Sequence, residues 1–490
     1  MSFERNASER PNTERKALAI NLDPRRYGSF AEIGAGQEVV RWFFRVGGAA
    51  GTIAKSISAY DMTVSDAIYG ECERYVCRKR LEDMLEHEHT LNLERLRESR
   101  GDTTAFFTFA DTVSARNFKG TNDCHGWMGV RFQSHPCDED SQILIHVRML
   151  DTENALQQEA IGITGVNLLF GAFNLNHEPE KLVESLLDNL STRRVEIDMI
   201  EFSGIAFRNV DNRVMSLRLV QLGLSNAAMF SAKGEVLQPS EVLYKKPILV
   251  ERGSFRPVTN VNLDMLRAAH AKFCQEPDVD ADEVVTLAEI TMRNLQANGT
   301  IDLKDFLARV DLMAACGMTV LISDYFEYYR LGAYLARYTK NKIGITMGAS
   351  SLCDLFDDKY YTQLDGGILE SFGRLFKNDL KLYIYPLLDR NTGELTTTDN
   401  LKIAPALRKL YEYLVDKRCI EQLDNFNPQN LQTFSREVLR QIQAGDPGWI
   451  EHVPAEVAEV IQRRGFFGYR KTASLKPATP VAALLPAALA

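Results

Sequence analysis

From Thr104 to Tyr385 the chain alternates short, nearly continuous apolar runs with longer stretches in which apolar residues recur every three or four positions. The first pattern predicts buried strands and the second amphipathic helices. TAFFTFAD, GWMGVRFQ and QILIHVRMLD are strand-like and separated by turns. A helix is then predicted over 152–173, a strand over 195–201, a helix over 211–222 and strands over 227–231 and 247–251, with a hairpin turn at Lys233-Gly234-Glu235. Helix–strand pairs follow at 262–273 with 284–290, 303–315 with 318–323, 325–338 with 343–347, and 367–376 with 380–385. Such alternation predicts an α/β fold with a mainly parallel central sheet over 104–390, Rossmann-like in kind. Roughly eight strand candidates leave a barrel-like β/α closure as the alternative.

The flanks read differently. Residues 1–18 are polar and predict a disordered tail. Residues 19–103 form a glycine-rich and helical N-terminal segment, helical from about 63 to 100, where Leu81, Leu85, Leu91 and Leu96 give an apolar stripe. Strand signals fade after 391, and 391–470 predicts a helical C-terminal segment. The Ala/Pro-rich end, 471–490, predicts a second disordered tail.

The stretch Phe30 to Met62 carries most of the candidate chemistry. Phe30–Ile33 predicts a short strand, Gly34-Ala35-Gly36 a tight turn and Gln37–Arg45 a helix. A strand, a glycine turn and a helix N-terminus make an anion site, because free backbone N–H groups and the helix dipole favour negative charge there. The dinucleotide pattern G-x-G-x-x-G is met at Gly34 and Gly36, with Val39 in its third place. The S-adenosylmethionine pattern, an acid before G-x-G, is met by Glu32, Gly34 and Gly36, although Gln37-Glu38 stand where a further glycine is usual. Asp61 is placed for a ribose hydroxyl. The second cluster, Gly47, Gly48 and Gly51 before Lys55, fails as a P-loop because Ala49 and Ala54 hold the positions that require glycine. It predicts either an anion-binding nest or close packing of small residues.

Several predicted strands end in acids: Asp111, Asp151, Glu201, Glu251, Glu289 and Asp324. Such acids either converge on a ligand or a divalent metal, or cap the helices that follow. The segment Ser323 to Arg330 is the richest, with Asp324, Glu327 and Arg330 as candidate catalytic groups and Tyr328 as a stacking surface. Glu251-Arg252-Gly253-Ser254 and Gly348-Ala349-Ser350-Ser351 sit at comparable strand ends. Cys124, His125, His135 and Cys137 lack the spacing of a zinc site, and His146, inside a strand, reads as a core residue.

A net charge of −9 argues against a general grip on nucleic acid. The N-terminus has no apolar run of signal-peptide length, no stretch is apolar enough to span a bilayer, and the eight cysteines are dispersed. These features predict a cytoplasmic protein with reduced thiols and leave homo-oligomerisation open.

The runs AEIGAGQEVVRWFFRVGGAAGTIAKSISAYDM, FADTVSARNF, LQPSEVLYKKPILVERGSFRPVTNVNLDML, LISDYFEYYRL and GGILESFGRLF resemble a bacterial family of chains of about this length. Its members carry two labels, nicotinate-nucleotide adenylyltransferase and TonB-dependent receptor. The resemblance implies a bacterial α/β protein and transfers no catalytic residue. None of the eight histidines forms the H-x-G-H motif of the first label, and Ser350-Ser351 only faintly echoes its phosphate loop. The second label needs a signal peptide and a long series of alternating barrel strands.

Together these readings predict binding of a nucleotide or another phosphorylated metabolite, with group transfer as the reaction. Glycines 34, 36, 47, 48 and 51 would cradle phosphate, with Lys55 or Arg330 offsetting its charge and Mg2+ arriving with the nucleotide. Methyl transfer from S-adenosylmethionine and a non-catalytic scaffold are the alternatives.

Overall fold

The computed structural model describes residues 11–470 apart from 298, 390 and 391. The tail expected over 471–490, and the first ten residues of the one expected over 1–18, lie outside the described residues. Residues Thr13–Asn21 are a helix rather than a tail, begun by Asn12, whose side chain accepts from the Arg15 amide at 2.9 Å.

The chain builds an α/β fold around two mixed sheets flanked by helices. The first contains β1 (Arg26–Gly34), β2 (Ile53–Ile57), β3 (Ala105–Ser114), β4 (His125–Gln133), β5 (Asp140–Met149) and β6 (Val195–Gly204), in the order β2-β1-β3-β4-β5-β6. The β2-β1-β3 part is parallel and the rest antiparallel. On one face Phe107, Phe109, Val130 and Ile143 share a core with Ile161, Val166 and Leu169 of the helix Asn154–Asn174. On the other, Ala110, Leu144 and Met199 share one with Leu81, Met84 and Leu85 of the helix Arg78–Arg100.

The single sheet expected over 104–390 is therefore two sheets. Strands β3 to β6 pair with β1 and β2 from the supposed N-terminal segment, and mostly antiparallel. Covered on both faces, they lose the alternation that marks a half-exposed antiparallel strand, and β3 is buried over nine consecutive positions.

The second sheet contains β7 (Ala227–Phe230), β8 (Val236–Leu237), β9 (Ile248–Arg252), β10 (Val285–Thr291), β11 (Thr319–Ser323), β12 (Ile343–Gly348) and β13 (Leu380–Tyr385). After a small hairpin of β14 (Leu387–Leu388) and β15 (Leu395–Thr396) comes its last strand, β16 (Ile420–Gln422). The order is β16-β13-β12-β9-β10-β11-β7-β8. Strands β9 to β13 and β16 run parallel, while β7 and β8 turn back along the β11 side. The chain starts this parallel part in mid-sheet at β9 and adds β10 and β11 on one side. It then crosses back to add β12, β13 and β16 on the other.

Helices cover both faces: Asn260–Phe273 packs with Leu249 and Tyr383, and Leu303–Ala315 with Ile290 and Ile322, on one, while Tyr328–Leu335 packs with Val250 and Leu321 on the other. Their starts are set locally. The Asp302 carboxylate accepts from the Lys304 and Asp305 amides, and Asn262 Oδ1 accepts from the Thr259 amide at 3.0 Å. Both sheets end in free edge strands, so they do not close into a barrel. Residues 392–470 carry the helices Arg408–Asp416, Ser435–Ala444 and Ala455–Arg464 beside β15 and β16, strands too short to show a period. No helix among the described residues is long and apolar enough to cross a membrane.

Candidate functional site

Where β9 lies between β12 and β10, the chain has wound both ways from one strand, and the crevice outside the carboxyl ends opens. A cleft of about 440 Å³ lies there. Its floor is Arg252, the last residue of β9. The guanidinium meets the Glu289 carboxylate through two bonds, Nε to Oε2 at 2.8 Å and Nη2 to Oε1 at 3.0 Å. It also donates to the Phe326 and Tyr325 carbonyls at 2.7 and 2.9 Å and lies over the Tyr328 ring, 4.3 Å from the centroid. Ser323 donates to Glu289 at 2.5 Å. Burial works against the Arg252 charge, and Glu289 beside it more than restores it. Arg252 thus ties the ends of β9, β10 and β11 together and has little capacity left for a ligand.

The cations that remain are Arg293, just past β10, and Arg436, on the helix Ser435–Ala444. Both are exposed, and neither has an ion-pair partner among the described residues. Arg293 stacks on Phe326 at 4.1 Å, and Phe326 meets Tyr360 edge-on at 5.6 Å. Thr291, Asn294 and Ser351 add neutral polar groups, and Glu327 and Asp354 add carboxylates. The cleft therefore offers unpaired guanidinium groups beside aromatic surface, the chemistry that holds an anionic group attached to a planar one.

The candidate catalytic residues divide. Glu327 lines the cleft, where Gln363 donates to it at 3.1 Å. Asp324 and Arg330 do not line it. The Asp324 amide donates to the Asn226 carbonyl, and the Arg330 side chain lies over Tyr325, 5.9 Å from the ring centroid, and pairs with Glu327 at 3.5 Å from outside the cleft.

The glycine-rich stretch is placed elsewhere, and none of residues 30–62 lines the cleft. The Glu32 carboxylate turns back and accepts from the amides of Val39 and Val40 at 2.9 and 3.2 Å. The amides expected to cradle an anion are thus taken by the chain's own acid. Gly36 is a glycine because Asp111 is close, and a Cβ built there would lie 1.9 Å from Asp111 Oδ1. Gly34, at φ 76°, passes over the Val113 carbonyl. Gly47 and Gly48 adopt left-handed φ values of 81° and 76° in an exposed turn, and a Cβ on Gly47 or Gly51 would meet nothing. Lys55 pairs with the buried Glu88. Asp61 caps the helix Met62–Tyr69 by accepting from the Val64 amide at 3.2 Å. Glu32, Gly36, Lys55 and Asp61 thus each have a local structural partner, and Gly47 and Gly51 have open space around them.

Sequence reasoning missed one polar chain. Asp198 Oδ1 lies 2.6 Å from His146 Nδ1, and His146 Nε2 lies 3.0 Å from His125 Nδ1. His146 and Asp198 are buried, so His146 is a partnered core residue as expected. His135 instead pairs with Asp138, and no three His, Cys, Asp or Glu side chains among the described residues are arranged to hold a metal. A larger groove of about 1170 Å³ is lined by Arg213, Arg256, Arg464, Asp211, Asp305 and Asp311. Those six charges are already paired with one another, Arg213 with Asp211 and Asp311, Arg256 with Asp305, and Arg464 with Asp311, and the smaller cleft, which lies at the strand ends, is the better ligand site.

Two mixed sheets covered by helices, with a polar and aromatic cleft at the strand ends, define an α/β protein with one candidate ligand site of this kind. No family model matches the chain, and no curated protein does. Among solved structures, the competence/damage-inducible protein CihA from Agrobacterium tumefaciens is similar over 35% of this chain and 98% of its own, at 16% identity and a TM-score of 0.25. A competence-damaged protein (CinA) superfamily protein from Enterobacter cloacae is similar over 35% and 98%, at 9% identity and a TM-score of 0.26. One from Escherichia coli is similar over 35% and 98%, at 14% and 0.24. Likeness at this level carries no argument about what this chain does.

Proposed function

We propose that the chain binds a nucleotide or a similar phosphorylated metabolite in the cleft at the ends of β9 to β12, with the second sheet acting as a Rossmann-like platform. The observation that carries this reading is the strand order, which puts the cleft where winding reverses, the place where open α/β sheets take their ligands. Arg293 and Arg436 would meet the phosphate, and Phe326, Tyr328 and Tyr360 would face the planar part. Group transfer would draw on the same two arginines to offset charge developing on phosphate. Magnesium is commonly held by one or two carboxylates plus the phosphates, and Glu327 and Asp354 are the carboxylates present.

The test is a thermal-shift panel of nicotinamide and adenine nucleotides, S-adenosylmethionine and sugar phosphates, each with and without magnesium, on wild type and on Arg293→Ala/Arg436→Ala. A ligand at about 100 times its dissociation constant stabilises the native state by roughly 2.7 kcal/mol. A nucleotide shift in wild type, lost in a double variant whose own melting temperature is unchanged, is the expected result. A flat panel on folded protein favours a scaffold role, and a shift that survives the double variant moves the site away from this cleft.

A further inference from the structure

The long helical stretch expected from 63 to 100 breaks at residues 70–77, and the break holds two cysteines. We propose that Cys72 and Cys77 are a reversible dithiol–disulfide pair, a modification site that clasps this loop onto the start of the helix Arg78–Arg100. Their Sγ atoms are 3.6 Å apart. Both thiols point at one acceptor, the Arg74 carbonyl, at 3.1 and 2.9 Å. Both side chains are partly exposed. No other two of the eight cysteines are in such contact.

The backbone between them is fixed in the reduced protein. The Tyr75 carbonyl accepts from the Thr112 hydroxyl at 2.6 Å, and the Tyr75 hydroxyl donates to Asp66 at 2.7 Å. Arg80, wholly buried, donates to Asp66 and to the Gly70 carbonyl at 2.8 and 2.7 Å. Closing a bond of about 2.05 Å therefore asks for side-chain rotation rather than loop rearrangement. Cys77 Sγ also accepts from the Arg80 amide at 3.4 Å, a capping contact that a disulfide sulfur can retain. Oxidation would also fix Arg74, whose charge lies beside Tyr244 and acts on His125.

The oxidant is a low-molecular-weight disulfide, RSSR. One cysteine thiolate attacks a sulfur of RSSR, a mixed disulfide forms and RS⁻ leaves. The second cysteine, as thiolate, attacks the protein sulfur of that mixed disulfide, the Cys72–Cys77 bond forms and a second RS⁻ leaves. The two cysteine protons go by way of solvent to the two leaving groups. The protein loses two electrons and RSSR becomes two RSH. Burial raises the Cys77 thiol above its ordinary value, so the exchange quickens as pH rises.

Trypsin cuts after Arg74, so the disulfide would join peptides 56–74 and 75–78. The full chain is treated with oxidised glutathione, free thiols are alkylated, and a non-reducing digest is read by mass spectrometry. The expected product is the joined pair, two hydrogens lighter than its parts, which dithiothreitol separates. The joined pair should be lost in Cys72→Ser, which melts like wild type in reductant, and in Cys77→Ser, where serine keeps the helix cap. Glutathione adducts without the joined pair, or unmodified Cys72 and Cys77 while the exposed Cys137 is labelled, would overturn the proposal.

Discussion

Glu32 faces Asp111 across the parallel ladder of β1 and β3, residue against residue, with both carboxyls buried and no cation paired to either among the described residues. Burial, and next the neighbouring Glu32, hold Asp111 well above the usual carboxylate range. Burial pushes Glu32 up to about 8, against the opposing pull of the two amides it caps. The folded chain therefore keeps protons that the unfolded chain releases above about pH 4. Stability contributed this way is complete below that pH and is lost as pH rises towards about 8. Between about pH 5 and about pH 8 the wild type should lose more unfolding free energy than Asp111→Asn. Urea denaturation across that range checks it, and equal slopes for the two proteins would rule the coupled pair out.

The same aspartate explains Gly36. Gly36→Ala should cost about 1–3 kcal/mol through overpacking, with no ligand present. In Gly36→Ala/Asp111→Ala most of that loss should return, because the clashing carboxylate is gone. Denaturation midpoints of the four proteins close the double-mutant cycle. Additive losses would mean that Gly36 serves something other than contact with Asp111.

Arg252 and Arg293 line one cleft and should behave oppositely. Arg252→Ala strands Glu289, which is fully buried, and should cost about 3–5 kcal/mol. Arg252→Lys should recover only part, since an ammonium cannot match the paired bonds to the carboxylate together with those to two carbonyls. Arg293→Ala touches an exposed cation and should stay within about 0.5 kcal/mol of wild type. A severe loss for Arg293→Ala would recast it as a structural group and weaken the reading of the cleft.

These residues also show what the chain gave away in advance. The alternation of helix and strand from β9 to β13 was legible, because each strand there is a continuous apolar run followed by a helix of proper period. Strand direction in the first sheet was not. It is set by connections such as the short turn 134–139 between β4 and β5, which admits only an antiparallel neighbour, and not by strand composition. Glu251-Arg252 and Glu327 stood out as polar groups at strand ends. Arg293 and Arg436 did not, since only folding brings a short helix after β10 beside one from the C-terminal segment. The glycine fingerprint misled for a related reason. Spacing reports that amides are free to bind an acid, and it does not report that Glu32, on the same strand, is the acid that binds them.

The buried chain from Asp198 to His125 predicts a loss of stability on the acid side. Asp198 Oδ1 accepts a hydrogen bond from His146 Nδ1–H, so the neutral ring leaves His146 Nε2 as an acceptor and His125 donates from Nδ1. Burial, and then the neighbouring His146, lower His125 from its ordinary value of 6.5 to about 4. Between those values the unfolded chain binds a proton at His125 that the folded chain refuses, so stability is complete above about 6.5 and falls as pH drops towards about 4, by about 2–3 kcal/mol. In His125→Asn an amide can still donate to His146 while the titration disappears, and the acid-side slope of denaturation should flatten by that amount. Nuclear magnetic resonance of the ring nitrogens gives the direct check. A midpoint near 4 for His125 supports the relay as drawn, whereas one near 6.5 would mean that the imidazole is solvated and that the chain ends at His146.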